Sequence, residues 1–140
     1  KVYSVDVGTN QLDESLRKNN NVVVLENTDI RILKKEQISD VNFIVCDVSF
    51  ISLTKISNKI SEFLNKGDEC VVLIKPQFEC GITLAKKFKG IIKDESIHKQ
   101  VISDVVQNFE SLGLKNLGVC ESSIKGGDGN TEFVAHFVKK

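Results

Sequence analysis

The stretch "CVVLIKPQFE" (Cys70–Glu79) carries five apolar residues into Lys75, followed by the only proline of the chain, Pro76. An apolar run without polar alternation fits a strand covered on both faces, and strands of that kind belong to parallel sheets. Yet the run closes on a lysine, a side chain almost never buried without a partner. The rest of the chain has to supply both the sheet and the partner.

Three more runs of the same kind lie upstream: "VYSVD" (Val2–Asp6), "VVVLE" (Val22–Glu26) and "FIVCD" (Phe43–Asp47). Between the third and fourth runs, Leu53, Ile56, Ile60, Phe63 and Leu64 recur at three- and four-residue steps. That spacing predicts a helix with one apolar stripe, stopping near Gly67. A second helix is predicted over 94–112, with Asp94 as its cap, Ile97, Val101, Val105, Phe109 and Leu112 as its stripe, and Gly113 as its end. Beyond it, "NLGVCES" and "TEFVAHFV" are joined by the glycine-rich "KGGDGN" (Lys125–Asn130) and read as a hairpin of two late strands. The order β-α-β-α-β-α-β-α-β-β predicts a doubly wound α/β sheet with an antiparallel element at one edge. One long irregular piece, roughly 76–93, exceeds the usual connection, and such loops are often functional.

The 140 residues suit a single domain, and 41% hydrophobic with 27% charged residues is ordinary for a soluble globular chain. Neither a signal peptide nor an apolar run of bilayer length is present, so the expectation is a cytoplasmic protein without a membrane partner. Net charge is zero, so no global field advertises a nucleic-acid partner. One local basic cluster, Lys86, Lys87 and Lys89 continuing to Lys93, reads either as a solvated face or as a phosphate-contacting loop. Cys46, Cys70, Cys80 and Cys120 form no CxxC pair and no cluster with His98 or His136, which reads as reduced thiols and no metal site.

In sheets of this type ligands bind beyond the carboxyl ends of the strands. Asp6, Glu26, Asp47 and Lys75 end the four runs, and Glu132 opens the last strand, which runs the other way and so starts at the same edge. Four acids and one lysine are thereby expected on one rim. A nucleotide-type ligand fits, since a carboxylate accepts both hydroxyls of a ribose. A phospho-accepting receiver also has acids at strand ends and a Lys-Pro, but such a chain ends one helix later. A magnesium site built from carboxylates is the third chemistry, and it leaves Lys75 without a role.

The segments "KVYSVDVGTNQL" (Lys1–Leu12), "CDVSFISL" (Cys46–Leu53), "LIKPQFE" (Leu73–Glu79), "IIKDESIHKQV" (Ile91–Val101) and "GNTEFV" (Gly129–Val134) together resemble the TlyA (hemolysin A) family. Its members are ribosomal RNA 2′-O-methyltransferases with an FtsJ-like domain. The resemblance implies a Rossmann-like methyltransferase fold, mostly parallel with an antiparallel C-terminal strand, and S-adenosyl-L-methionine as cofactor. It implies ribosomal RNA or a ribosomal subunit as partner, and a Lys-Asp-Lys-Glu catalytic set. Carried over by position, Asp47, Lys75 and Glu132 are its Asp, second Lys and Glu. Asp6, with Val7, corresponds to the residues at the cofactor's ribose, Asp29 and Ile30 to those at its adenine, and Asp47 is shared with the cofactor site. The chemistry agrees, because a ribose hydroxyl is a poor nucleophile until its proton is held or removed. Asp47 and Glu132 would position Lys75, and Pro76 would fix the direction of that lysine by holding it extended.

Departures are equally informative. The family's glycine-rich cofactor loop and first catalytic lysine precede "VDVG", so both are expected in an N-terminal segment upstream of Lys1, as is an S4-type RNA-binding domain. The first strand of the fold is then lacking, which leaves a gap between the Asp6 and Asp47 strands. A chain of this kind is expected to be an incomplete part of the enzyme, inactive alone. The competing reading is a non-catalytic RNA-binding or interaction module of hemolysin type. Membrane attack has little to work with, since no amphipathic basic helix is visible.

Overall fold

The computed structural model describes residues 1–38 and 40–140. It divides into two compact units, Lys1–Asp40 and Val41–Lys140. In the first, β1 (Val2–Val5) is followed by one helical turn, α1 (Glu14–Arg17), and by β2 (Val22–Leu25). The strands pair in parallel from Val2 opposite Val22 to Val5 opposite Leu25. Asp13 caps α1 by accepting from the Ser15 N–H at 2.9 Å. A helix was expected between β2 and the next strand; a 3-10 turn, Lys35–Gln37, stands there instead. The segment has no apolar stripe long enough to bury a helix face, and among its described residues only Leu33 and Ile38 belong to the core.

The second unit holds β3 (Phe43–Cys46), α2 (Ser57–Phe63), β4 (Glu69–Ile74), α3 (Pro76–Glu79), α4 (Ile82–Lys87), α5 (Glu95–Ser111), β5 (Leu114–Glu121) and β6 (Phe133–Lys139). Its sheet runs β3-β4-β6-β5, separate from the β1-β2 ladder. β3 and β4 are parallel, and β6 is antiparallel to both β4 and β5. The late hairpin is therefore present, with β6 inside the sheet and β5 at its edge. Cys70, Val72 and Ile74 of β4 are fully buried, whereas Val71 and Leu73 on the other face are half-buried. Full cover on both faces was expected from the sequence; a strand this apolar is equally content with one dry face and one partly wet one.

Helices pack on the dry face. All five stripe residues from Leu53 to Leu64 are buried, the first in a 3-10 turn (Leu53–Lys55) that leads into α2. In α5, Val101, Val105 and Phe109 are buried, and the Phe109 ring stacks on Phe137 of β6 with centroids 4.7 Å apart. Asp94 caps the helix through the Ser96 N–H at 2.8 Å, and Gly113 leaves it at φ +80°. Lys139 Nζ donates to the Leu112 carbonyl at 2.9 Å, satisfying one of the orphan acceptors at that end. The region 76–93, expected to be irregular, contains α3 and α4, two helices too short to show a periodic pattern.

Candidate active site

Because β3 and β4 are parallel neighbours, Asp47 and Lys75 leave the sheet at the same edge. Lys75 is extended, φ −112° and ψ 100°, as the following proline requires, and Pro76 begins α3. The lysine Nζ lies 2.6 Å from Asp47 Oδ1 and donates to Ser49 Oγ at 3.1 Å. Its side chain is only 12% exposed while that of Asp47 is 68% exposed, so the lysine is the sheltered partner. The partner demanded by the buried strand is thus Asp47.

Glu132 stands one register step beyond the last β4–β6 pair, Ile74 opposite Phe133, which sets it level with Lys75. It is 7% exposed. Among the described residues it forms no ion pair with Lys75. Its Oε1 instead accepts from Gln77 Nε2 at 3.2 Å, because the helix begun at Pro76 turns Gln77 toward the carboxylate. Gly126 lies against the same carboxylate, where an added Cβ would overlap Glu132 Oε1. Asp47 thus touches the lysine, whereas Glu132 is bound by Gln77, whose own Oε1 is buried without a partner among the described residues.

Four residues that sequence reasoning passed over belong to this edge: Ser49, Phe50, Gln77 and Glu79. Phe50 has φ +64° and is 91% exposed, an uncommon pose for a bulky residue. Its ring packs 5.0 Å from that of Phe78, and both line an open cleft of about 240 Å³ with Gln77, Gly81, Ile82 and Ala85. Glu79 accepts from the Leu53 N–H at 2.7 Å and from Ser52 Oγ at 2.6 Å. Burial raises its carboxyl above the ordinary value, against the pull of those hydrogen bonds. Burial also pushes the Cys46 thiol up to about 12, and the Asp47 and Glu79 charges add to that while Lys75 opposes it. Lys86, Lys87 and Lys89 are exposed nearby in sequence, with no ion-pair partner among the described residues.

In the Lys1–Asp40 unit, Asp6 follows β1 and Glu26 follows β2. The two line a pocket of about 100 Å³ with Ser4, Gln11 and Leu12. Asp6 Oδ1 accepts from the Gly8 N–H at 2.7 Å, which leaves the second oxygen free to accept a hydroxyl. Glu26 is bound to Arg17 at 2.6 Å. Val7 is exposed and Ile30 half-buried. Both oxygens of Asp29 are taken by Arg31, whose Nε lies 3.0 and 2.9 Å away, and this pairing holds the Asp29 carboxyl below the usual range. An adenine amino group would meet an acceptor already shared with a guanidinium.

Residues 1–139 match the family described as FtsJ-like methyltransferase. Hemolysin A of Brachyspira hyodysenteriae is 41% identical over 140 residues, covering 99% of this chain and 58% of that protein. The 23S rRNA (cytidine-2′-O)-methyltransferase TlyA of Campylobacter jejuni is 38% identical over 139 residues, covering 99% of this chain and 53% of that protein. The chain thus spans little more than half the length of these curated relatives. A crystal structure from Lactococcus lactis, described as that of a hemolysin, superposes with a TM-score of 0.92 at 40% identity, over 99% of this chain and 67% of that one. Methyltransferase structures only 11–15% identical share the fold, at TM-scores of 0.61–0.69.

Proposed function

The chain belongs to the FtsJ-like methyltransferase family, and on that footing we propose that it takes part in 2′-O-methylation of a ribose in ribosomal RNA with S-adenosyl-L-methionine as donor. The observation that supports this reading best is the sheltered Lys75–Asp47 pair at the strand edge, with Glu132 level with it. When bound, the cofactor supplies an electrophilic methyl group. The free oxygen of Asp6 suits its ribose hydroxyls, and Val7, Asp29, Ile30 and Asp47 are the further cofactor contacts of this proposal. Arg31 is held on Asp29 beside them.

Asp47, Lys75 and Glu132 are the proposed catalytic residues. Lys75 passes a proton to Asp47, 2.6 Å away, and the lone pair this frees accepts the proton of the ribose hydroxyl, holding its oxygen in line for transfer. Glu132, held by Gln77, presents its carboxylate level with the lysine. The exposed Phe50 ring offers a stacking face for an unstacked nucleobase, and Lys86, Lys87 and Lys89 offer contacts to phosphates. Ribosomal RNA as substrate also favours a cytoplasmic site of action. Among the described residues no helix is long and apolar enough to cross a membrane.

Transfer of labelled methyl groups to ribosomal RNA, followed by alkaline hydrolysis, tests the reading. A 2′-O-methyl group removes the internal nucleophile, so the label is expected in an alkali-resistant dinucleotide. Label released in an ordinary mononucleotide would place the methyl group on a base and overturn it.

A further inference from the structure

Asp47 is 68% exposed, and it sits at the start of a loop that the sheet does not hold. Among the described residues, 48–51 make no backbone–backbone hydrogen bond outside the strands. What fastens this loop to the segment that carries Lys75 is side chains. One tie is the Lys75–Asp47 pair with its bond to Ser49, and a second is the Phe50–Phe78 ring contact. The third is Glu79, four residues after Lys75. Its Oε1 accepts from the backbone of Leu53, which is 1% exposed, and its Oε2 from the Ser52 hydroxyl. Ser52 Oγ also accepts from the Thr54 N–H at 3.2 Å, so the carboxylate completes the cap of the 3-10 turn where the loop rejoins the core.

A half-buried carboxylate satisfied by two neutral donors is a costly way to end a turn that Ser52 already caps. We infer that Glu79 is a positioning residue for the proposed methyl transfer, fixing the Asp47–Ser52 loop against the strand end so that Asp47 stays on Lys75. The inference rests on the methyltransferase reading for its consequence, but the contact it invokes is independent of that reading.

Glu79→Ala removes both acceptors. Glu79→Gln keeps a carbonyl for the Leu53 N–H and an amide that can donate to Ser52, so it should rescue. In Glu79→Ala we expect kcat to fall about 100-fold, the scale of an ångström's misplacement, a larger change than any in cofactor affinity or in the KM for RNA. Glu79→Gln should return to within about fivefold of wild type. Ser52→Ala, which spares the buried Leu53 bond, should lower kcat less, and the double variant Ser52→Ala/Glu79→Ala should be no worse than Glu79→Ala. Amide exchange should quicken at 48–53 while α5 and β4 stay protected. The inference is overturned if Glu79→Ala keeps wild-type kcat, if Gln fails as badly as Ala, or if protection is lost throughout. Should the protein transfer no methyl group at all, the methyltransferase reading falls. Exchange at 48–53 would still say whether Glu79 holds the loop.

Discussion

Lys75 sits in its slot by virtue of its aliphatic stem as much as its charge. Lys75→Met, which keeps the stem, should leave the denaturation midpoint nearly unchanged, because the charge left behind, Asp47, is mostly exposed and stays solvated; methyl transfer should be abolished. The converse variant, Asp47→Ala, should cost more, about 1–3 kcal/mol, since it leaves the sheltered lysine without its charge partner. The thiols give a second residue-level test. Burial pushes Cys46 and Cys70 up to about 12 from the ordinary 9.0, so both remain protonated in the fold while the unfolded chain ionises near 9.0. The folded state then holds more protons, and stability should be full below pH 9 and decline as pH rises from there toward 12. Alkylation at pH 8 should label the exposed Cys120 first. Lys75 and Asp47 were legible because strand ends follow from hydrophobic pattern. Phe50 was not, since an aromatic inside "VSFIS" gives no sign that it will face solvent at φ +64°.

α5 is the element the sequence describes most fully, because a capping Asp, a 3.6-residue stripe and a terminal glycine all agree. Asp94→Ala should lower stability by about 1 kcal/mol, read as a shifted urea midpoint with unchanged slope. α3 and α4 escaped notice for the opposite reason. They start at Pro76 and just after Gly81 (φ +83°), and neither is long enough to repeat a stripe. In the glycine turn before β6, the requirement at Gly126 is purely steric. Gly126 has φ −70°, which alanine adopts freely, so Gly126→Ala acts only through its clash with Glu132. Methyl transfer should drop sharply in that variant while cofactor affinity holds, and a Glu132→Ala background should erase the difference.

At the scale of the whole molecule, parallel pairing, the late antiparallel hairpin and the family were all readable, because each follows from local pattern or motif order. How Glu132 would be held was not readable, since it depends on where the first turn after Pro76 places Gln77. A neutral chain binds RNA through local charge rather than global field. Reversing Lys86, Lys87 and Lys89 to glutamate should therefore raise the KM for RNA and flatten its salt dependence, with cofactor affinity unchanged. The central claim, that Lys75 works on the ribose hydroxyl, is tested most directly by single-turnover methyl transfer to ribosomal RNA with wild type and Lys75→Ala, cofactor binding being titrated in parallel. The account predicts equal cofactor affinity and a transfer rate lower by about 100-fold or more in the variant. Transfer at the wild-type rate by Lys75→Ala would contradict it.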